Sequence, residues 1–163
     1  MYNSMFSYQT PGSKGTTRLH MDRTDTLNVM TYASPAPDGS PGGAAWDLFR
    51  AEDSDKLRQF LRKRFQGTFQ HDPIHSQQFY LDSAIRKELH DSYGIKCHRV
   101  YQRPGEAVLI PAGCAHQVSL AWFSKLNYMK VIHNLGCRCR ICRIVSKLRW
   151  TSSAPNMLLD ARN

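Results

Sequence analysis

Short stretches of apolar and β-branched residues, separated by turn residues, predict several β-strands along the chain. Residues 16–32 have this extended pattern, with a turn at residues 23–25. His98–Gln102 predicts a further strand, and Ala107–Ile110 predicts a buried strand that leads into a Pro-Ala-Gly turn. A loop rich in proline and glycine is expected at residues 33–43. The first part of the chain is therefore expected to be rich in short strands.

Two segments instead have the period of an amphipathic helix. Across residues 44–65 the large apolar residues recur at helical spacing, while arginine and lysine lie between them, and Asp53 or Ser54 is the expected cap. Ser83–Tyr93 predicts a second helix, which Gly94 closes. Short strands around two inserted helices favour a mainly β fold, a β-barrel or jelly roll, over a parallel α/β sheet.

The net charge of +9 is unevenly distributed along the chain. Residues 1–117 carry 14 Lys and Arg against 12 Asp and Glu, a net charge of +2. Residues 118–163 carry 8 Lys and Arg against one acidic residue, a net charge of +7, together with three of the five cysteines. The basic character that could indicate a nucleic-acid partner therefore belongs to the tail.

The chain length of 163 residues is typical of a single domain. No run of apolar residues approaches the 18 or so that a transmembrane helix needs, and no secretory signal is visible at the N-terminus. An odd number of cysteines without a signal is typical of free thiols in a reducing compartment. No membrane partner is expected.

Three residues in the strand-rich region predict a metal site. His20 and Asp22 stand two apart, so on a strand both side chains leave the same face and converge. His116, which follows the Pro-Ala-Gly turn, would supply a third ligand. Two imidazoles and one carboxylate on one face of a metal leave the opposite positions free for a cosubstrate and dioxygen, which is the non-haem iron(II) arrangement.

Other interpretations of these residues stay open. His20 and His116 could be ordinary strand-end histidines that are hydrogen-bonded and free of metal, and further histidines compete as ligands: His71, His75, His90 and His98. Thr17, three residues before His20, could present a hydroxyl to a cosubstrate carboxylate, and Asn28 on the next strand could present an amide to the same pocket. Neither a nucleophile–base pair nor a phosphate-binding glycine loop is evident.

Four stretches, taken in order, resemble JmjC domains, most of all the hairless-like subgroup of histone lysine demethylases. The similarity extends from about residue 1 to residue 118, and a match of four stretches in the same order is highly specific. The stretches are GTTRLHMD at residues 15–22, LNVMTY at 27–32, DPIHSQ at 72–77 with YLD at 80–82, and GEAVLIPAGCAHQV at 105–118.

The resemblance implies a double-stranded β-helix of the cupin type with inserted helices, incomplete at both ends. It implies Fe(II) held by His20, Asp22 and His116, with 2-oxoglutarate as cosubstrate contacted by Thr17 and Asn28. The implied reaction couples decarboxylation of 2-oxoglutarate to hydroxylation of an N-methyl group on a histone H3 lysine, and the methyl group leaves as formaldehyde. The implied partners are a histone tail peptide and chromatin, and the implied location is the nucleus.

The basic tail departs from the family pattern after Val118, and three interpretations compete for it. His133, Cys137, Cys139 and Cys142 could bind zinc, although their spacing lacks the separated pairs of usual zinc folds. The tail could bind nucleic acid through its charge. The favoured interpretation is that residues 119–163 derive from intron read-through and a frameshift. Residues 117–119 can be encoded by CAG-GTA-AGT, which resembles the donor boundary of an unspliced intron. The sequence after residue 143 can be back-translated and, shifted by one nucleotide, gives the family's usual continuation.

The favoured function is therefore a JmjC oxygenase domain of histone demethylase type, in a chain whose folding, iron binding and activity are expected to be weak. The residue that anchors the distal 2-oxoglutarate carboxylate is not identified, since Lys14 is near the site only in sequence. The alternatives are a catalytically inactive chromatin-binding module and a JmjC hydroxylase of another protein. Direct nucleic-acid binding is not expected.

Overall fold

The computed structural model describes Gly12, residues 14–66, Phe69 and residues 71–122, and it contains six strands and two α-helices in that part of the chain. A single turn of 3-10 helix, Ala51–Asp53, precedes the first α-helix. The elements in chain order are β1 (Thr17–His20), β2 (Thr26–Val29), β3 (Gly42–Leu48), α1 (Ser54–Arg64), α2 (Ser83–Tyr93), β4 (His98–Gln102), β5 (Ala107–Ile110) and β6 (His116–Trp122).

The strands form two antiparallel sheets that pack against each other. The larger sheet has the order β1-β6-β3-β4, and the smaller one pairs β2 with β5. Trp46 of β3 belongs to one buried cluster with Val108 and Ile110 of β5, so the sheets meet face to face. This arrangement confirms the prediction of a mainly β, antiparallel fold with inserted helices, in agreement with a cupin-like jelly roll.

The helix predicted at residues 44–65 is wrong in its first part. Gly42–Leu48 is a strand, hydrogen-bonded to β4 on one side and to β6 on the other, and only Ser54–Arg64 is α-helical. All seven residues of β3 are buried, and a strand buried on both faces has no polar alternation in its sequence. The spacing of Trp46 and Phe49 therefore resembled a helical period, although backbone pairing on both edges stabilises a strand.

The helices cover the outer face of the larger sheet. Leu57, Phe60 and Leu61 of α1 are buried in one cluster with Leu89 of α2 and Leu19 of β1. Helix α2 begins and ends as predicted, because the Asp82 side chain accepts a hydrogen bond of 2.9 Å from the Ile85 N–H and Gly94 adopts a left-handed conformation after the last turn. The Asp53 side chain makes no capping hydrogen bond at α1.

The remaining strand predictions are confirmed at β4 and β5, and residues 16–32 divide into β1 and β2 around the expected turn. Strand β6 continues past Val118 to Trp122, pairing with the first half of β3. The possible zinc ligands at residues 133–142 and the rest of the basic tail lie outside the described residues. Among the residues that the structure describes, no helix is long and apolar enough to cross a membrane.

Candidate metal centre

The two histidines of the predicted metal site lie side by side on paired strands. His20 ends β1, His116 begins β6, and their Cα atoms are partners in the antiparallel ladder. Residues directly opposite each other in such a ladder point to the same face of the sheet. The two imidazole rings therefore meet, with ring centroids 4.1 Å apart.

Asp22 reaches the same point from the loop that follows β1. The strand ends at His20, so the prediction that His20 and Asp22 share one face of a regular strand is wrong in its detail. Their convergence is still observed, because one ligand atom from each of His20, Asp22 and His116 lies within 4.8 Å of the other two. The Nε2 atom of His116 lies 3.8 Å from Oδ2 of Asp22.

The hydrogen bonds of the two histidines leave the correct ring nitrogen free for a metal. Nδ1 of His20 is 2.9 Å from the carbonyl oxygen of Arg18, and Nδ1 of His116 is 2.9 Å from that of Cys114. Because a carbonyl only accepts, Nδ1 must carry the proton in each ring, and the Nε2 lone pair is available. A backbone carbonyl that orients the ligating imidazole in this way is common in metal sites.

Burial also favours the neutral form of His116. The side chain is 2% exposed, and desolvation lowers the pKa of the imidazole below its usual value, which the hydrogen bond to the Cys114 carbonyl opposes only in part. A neutral imidazole is the form that binds metal, so the ring does not need to lose a proton at neutral pH.

The loops that carry the ligands are tied to each other. The N–H of Gly113, in the turn before His116, donates to the carbonyl oxygen of Asp22 at 3.2 Å. The N–H of Ala112 in the same turn donates to Oδ1 of Asp25 at 2.8 Å. These two hydrogen bonds fix the β1–β2 loop against the β5–β6 loop, so that Asp22 and His116, which are far apart in the sequence, keep a common position.

Apolar and hydrogen-bonded side chains line the sheet face beside the histidines. The indole of Trp46 lies 6.0 Å from the His116 ring, measured between centroids. Its N–H donates to Oε1 of Gln102 at 2.9 Å, and Nε2 of Gln102 donates to the carbonyl oxygen of Asn28 on the opposite sheet at 2.8 Å. Gln102 is buried and satisfies its amide by joining the two sheets, which ties this wall of the site to both of them.

A bulge in β1 decides the position of Thr17. Thr17 is paired with Val118, and His20 is paired with His116, so three steps along β1 match two steps along β6. On a regular strand residues three apart point to opposite faces, but the bulge sets both residues opposite neighbours on the same face. Thr17 is exposed there, and Asn28 is partly buried on β2 opposite Val108.

The competing histidines do not join the cluster. His71, His75 and His90 are exposed, and His98 is buried on β4 opposite Leu48. Within the described ranges, His20, Asp22 and His116 form the group of three His, Cys, Asp or Glu side chains close enough to hold one metal ion. Lys14 is exposed, and its side chain is assigned no role at this centre.

Comparisons with known proteins identify the family of this chain. A family model described as "JmjC domain, hydroxylase" matches residues 12–121. The chain belongs to the JmjC family. The matched residues include all three residues of the His-Asp-His cluster and every strand described above except the last residue of β6.

Several relatives of this JmjC domain are named as demethylases. The chain is 37% identical over 153 residues to lysine-specific demethylase 3 of Drosophila melanogaster, covering 72% of this chain and 18% of that protein. It is 35% identical over 153 residues to lysine-specific demethylase 3A of Homo sapiens, with 72% of this chain and 12% of that protein covered. It is also 31% identical over 138 residues to a probable JmjC domain-containing histone demethylation protein 2C of Mus musculus, with 64% and 6% covered.

The sequence analysis did not identify the residues that support the His-Asp-His cluster. Thr26, four residues after Asp22, donates its hydroxyl to Oδ2 of Asp22 at 2.8 Å. The sequence did indicate that Thr26 faces the site. Thr26 stands two residues before Asn28 on a short strand, and the two side chains therefore share the face that was expected to line the pocket. The partnership of Trp46 with Gln102 had no such signal, since 56 residues separate them.

Proposed function

We propose that this JmjC domain is an Fe(II)- and 2-oxoglutarate-dependent oxygenase that demethylates methyl-lysine on histone H3 by hydroxylating the N-methyl group. The observation that carries the proposal is the cluster of His20, Asp22 and His116, whose ligand atoms lie within 4.8 Å of one another. Two imidazoles and one carboxylate with open positions are the donor set typical of non-haem iron(II) oxygenases.

The residues of this chain fit such a metal in two respects. Both histidines have Nδ1 engaged by a backbone carbonyl, which leaves Nε2 as the donor. The half-buried carboxylate of Asp22 supplies the negative charge that a divalent ion favours. Iron, when bound, would supply the activation of dioxygen that links decarboxylation of 2-oxoglutarate to hydroxylation of the methyl group.

The chain's own side chains would then position the cosubstrate and exclude water. Thr17 is proposed to donate its hydroxyl to a 2-oxoglutarate carboxylate, and Asn28 to present its amide to the same ligand. The support is their placement: Thr17 is opposite Val118 on the face that carries His116, and Asn28 is on the face of β2 that carries Thr26. Trp46 would limit water access from the side of β3.

The proposed substrate and location rest on the relatives. The matched proteins from Drosophila melanogaster and Homo sapiens are named as lysine-specific demethylases, and this chain spans 18% and 12% of their lengths. We propose a methylated histone tail as substrate, chromatin as the partner and the nucleus as the location. A JmjC hydroxylase of another protein and an inactive chromatin-binding module are the alternatives.

The proposal predicts that the purified 163-residue chain decarboxylates 2-oxoglutarate in the presence of Fe(II) and ascorbate, at the low rate that the sequence analysis leads us to expect. His116→Ala should reduce succinate formation to the level without protein, because two ligands cannot hold iron as three do. His71→Ala, which removes an exposed histidine away from the cluster, is the matched control and should keep the parent rate.

Formaldehyde release from methylated H3 peptides would then test the substrate. Succinate without formaldehyde from any histone peptide would favour a hydroxylase of another protein. Iron binding without succinate formation would favour the inactive binding module. Equal succinate formation by the parent chain and His116→Ala would contradict the oxygenase proposal itself.

A further inference from the structure

The carboxylate of Asp22 differs from the two histidines in how it is held. His20 and His116 lie on paired strands of the larger sheet, so the backbone ladder fixes their positions. Asp22 lies beyond the end of β1, and its side chain is 31% exposed. A partly exposed carboxylate in a loop can rotate about its side-chain bonds, and such rotation would move its oxygens away from the position that faces the two histidines.

One side chain on the opposite sheet restrains this rotation. The hydroxyl of Thr26 on β2 donates to Oδ2 of Asp22 at 2.8 Å, whereas its distance to the alternative acceptor, the carbonyl oxygen of Thr24, is 3.4 Å. A hydroxyl has a single proton, and the shorter contact to a charged acceptor is the stronger one. Thr26 itself is fixed by the pairing of β2 with β5, opposite Ile110.

The loop backbone does not depend on this hydrogen bond. The Gly113 N–H already holds the carbonyl of Asp22, and the Ala112 N–H already holds the carboxylate of Asp25. The Thr26 hydroxyl therefore adds little to the path of the chain between β1 and β2. Its contact is with the carboxylate of Asp22, which neither of these two hydrogen bonds involves.

We propose that Thr26 is a positioning residue for the metal centre, which sets the orientation of the Asp22 carboxylate before the ion binds. The inference rests on the proposed function, since it concerns the same three ligands. It also makes metal binding depend on the packing of the two sheets, because two ligands are fixed by the larger sheet and the third is oriented from the smaller one.

The test uses Co(II) as the probe, bound to the full 163-residue chain without oxygen and followed by its visible absorption. Thr26→Val keeps the shape of the side chain and removes the hydroxyl, Thr26→Ser keeps the hydroxyl, and Thr24→Val is a matched control at an exposed neighbour. Thr26→Val should weaken Co(II) binding by about 10- to 100-fold, the usual effect of losing an outer hydrogen bond to a metal ligand.

The absorption bands of bound Co(II) should also change in Thr26→Val, because a freed carboxylate alters the ligand field. Thr26→Ser should restore both affinity and spectrum, and Thr24→Val should match the parent chain. A role in loop stability alone would instead shift the thermal midpoint of the metal-free protein in Thr26→Val and leave the spectrum of the bound ion unchanged.

Two further results would overturn the inference, and they differ in what else they affect. Co(II) binding that is tight in the parent chain, lost in His116→Ala and unchanged in Thr26→Val would reject the role of Thr26 and leave the proposed function intact. Co(II) binding that is equally weak in the parent chain and His116→Ala would reject both, because no site would exist for Thr26 to organise.

Discussion

At the scale of single residues, the site depends on groups that are buried with their partners. The carboxylate of Asp47 on β3 is 2% exposed and lies on the face of the larger sheet opposite the metal cluster. It accepts hydrogen bonds from Arg86 at 3.0 Å, from Arg99 at 2.6 Å and from Gln117 at 2.9 Å. Gln117 follows the proposed ligand His116, so this network holds β6 directly behind the centre.

Replacing Asp47 by asparagine should destabilise the protein strongly. Removing one partner of a buried charge cluster leaves uncompensated charge and typically costs about 3–5 kcal/mol of unfolding free energy. Urea unfolding would measure the loss. Asp55→Asn is the matched control, because the Asp55 side chain is 91% exposed and its partner Arg58 also binds Asp72, so little change is expected. Similar losses in the two variants would contradict a structural role for the Asp47 cluster.

At the scale of elements, the start of α2 combines local and distant interactions. The Asp82 side chain accepts hydrogen bonds from the Ile85 N–H within the helix and from the Gly12 N–H, 70 residues away in sequence. Burial alone would raise the pKa of this carboxyl group, but the hydrogen bonds from Gly12 and Ile85 stabilise the ionised form more, so its pKa lies below the usual value.

This lowered pKa predicts a pH-dependent contribution to stability. A carboxyl group whose pKa is lower in the folded state stabilises the fold at neutral pH, and the contribution is lost as the pH falls below about 4 and through the folded-state pKa. Asp82→Ala should cost about 0.5–2 kcal/mol at pH 7. Asp82→Asn should cost less, because an amide oxygen can still accept the capping hydrogen bonds.

Denaturant unfolding at several pH values would check this prediction. The stability advantage of the parent protein over Asp82→Asn should shrink steadily as the solution is acidified below about pH 4. An advantage that is constant with pH would mean that the hydrogen bonds hold the carboxyl group equally well in its neutral form.

Helix α2 and strand β3 differ in whether local sequence or pairing with other strands sets their structure. Helix α2 has its own cap and its own terminating glycine, so its limits were predicted correctly from local sequence. Strand β3 has no strand-like alternation of polar and apolar residues, and its residues 44–48 were predicted as helix. It is a strand because β4 and β6, which come 50 or more residues later, supply hydrogen bonds along both of its edges.

At the scale of the whole molecule, the two sheets act as one frame for the site. Gln102 joins them at the centre through Trp46 and the backbone of Asn28. Thr26 joins them at the rim through Asp22. Within the described residues, β2 and β5 form a two-stranded sheet, and a sheet of two strands is only marginally stable by itself. Contacts with the larger sheet therefore stabilise the position of β2 and β5.

The origin of the basic tail is a separate question at this scale, and we propose that residues 119–163 derive from intron read-through followed by a frameshift. Sequencing the transcripts across codons 117–150 should reveal a spliced form that lacks the insert and continues in the family's reading frame. A transcript population without such a form, or a genomic sequence without an intron-like insert, would contradict the proposal. The family match ends at residue 121, three residues beyond the predicted boundary.

The sequence by itself determined which residue types meet at the proposed metal site. The residue types and order of His20, Asp22 and His116 predicted the donor set, and the four family-like stretches predicted a fold that the strand order now supports. These properties are local or depend only on order along the chain. Turn residues and helix caps likewise act within a few residues, so β4, β5 and α2 were predicted with their correct limits.

Only the tertiary structure decided how the ligands are held. The bulge that turns Thr17 to the face of His20, the hydroxyl of Thr26 on Asp22, and the ladder that sets His20 beside His116 all join separate strands. Register and bulges depend on which strands pair. The pairing is set by the burial of whole strand faces, and no single residue specifies it. The donor residues of the proposed metal centre can thus be predicted from short chain segments, whereas their geometry arises from contacts across about 100 residues of sequence.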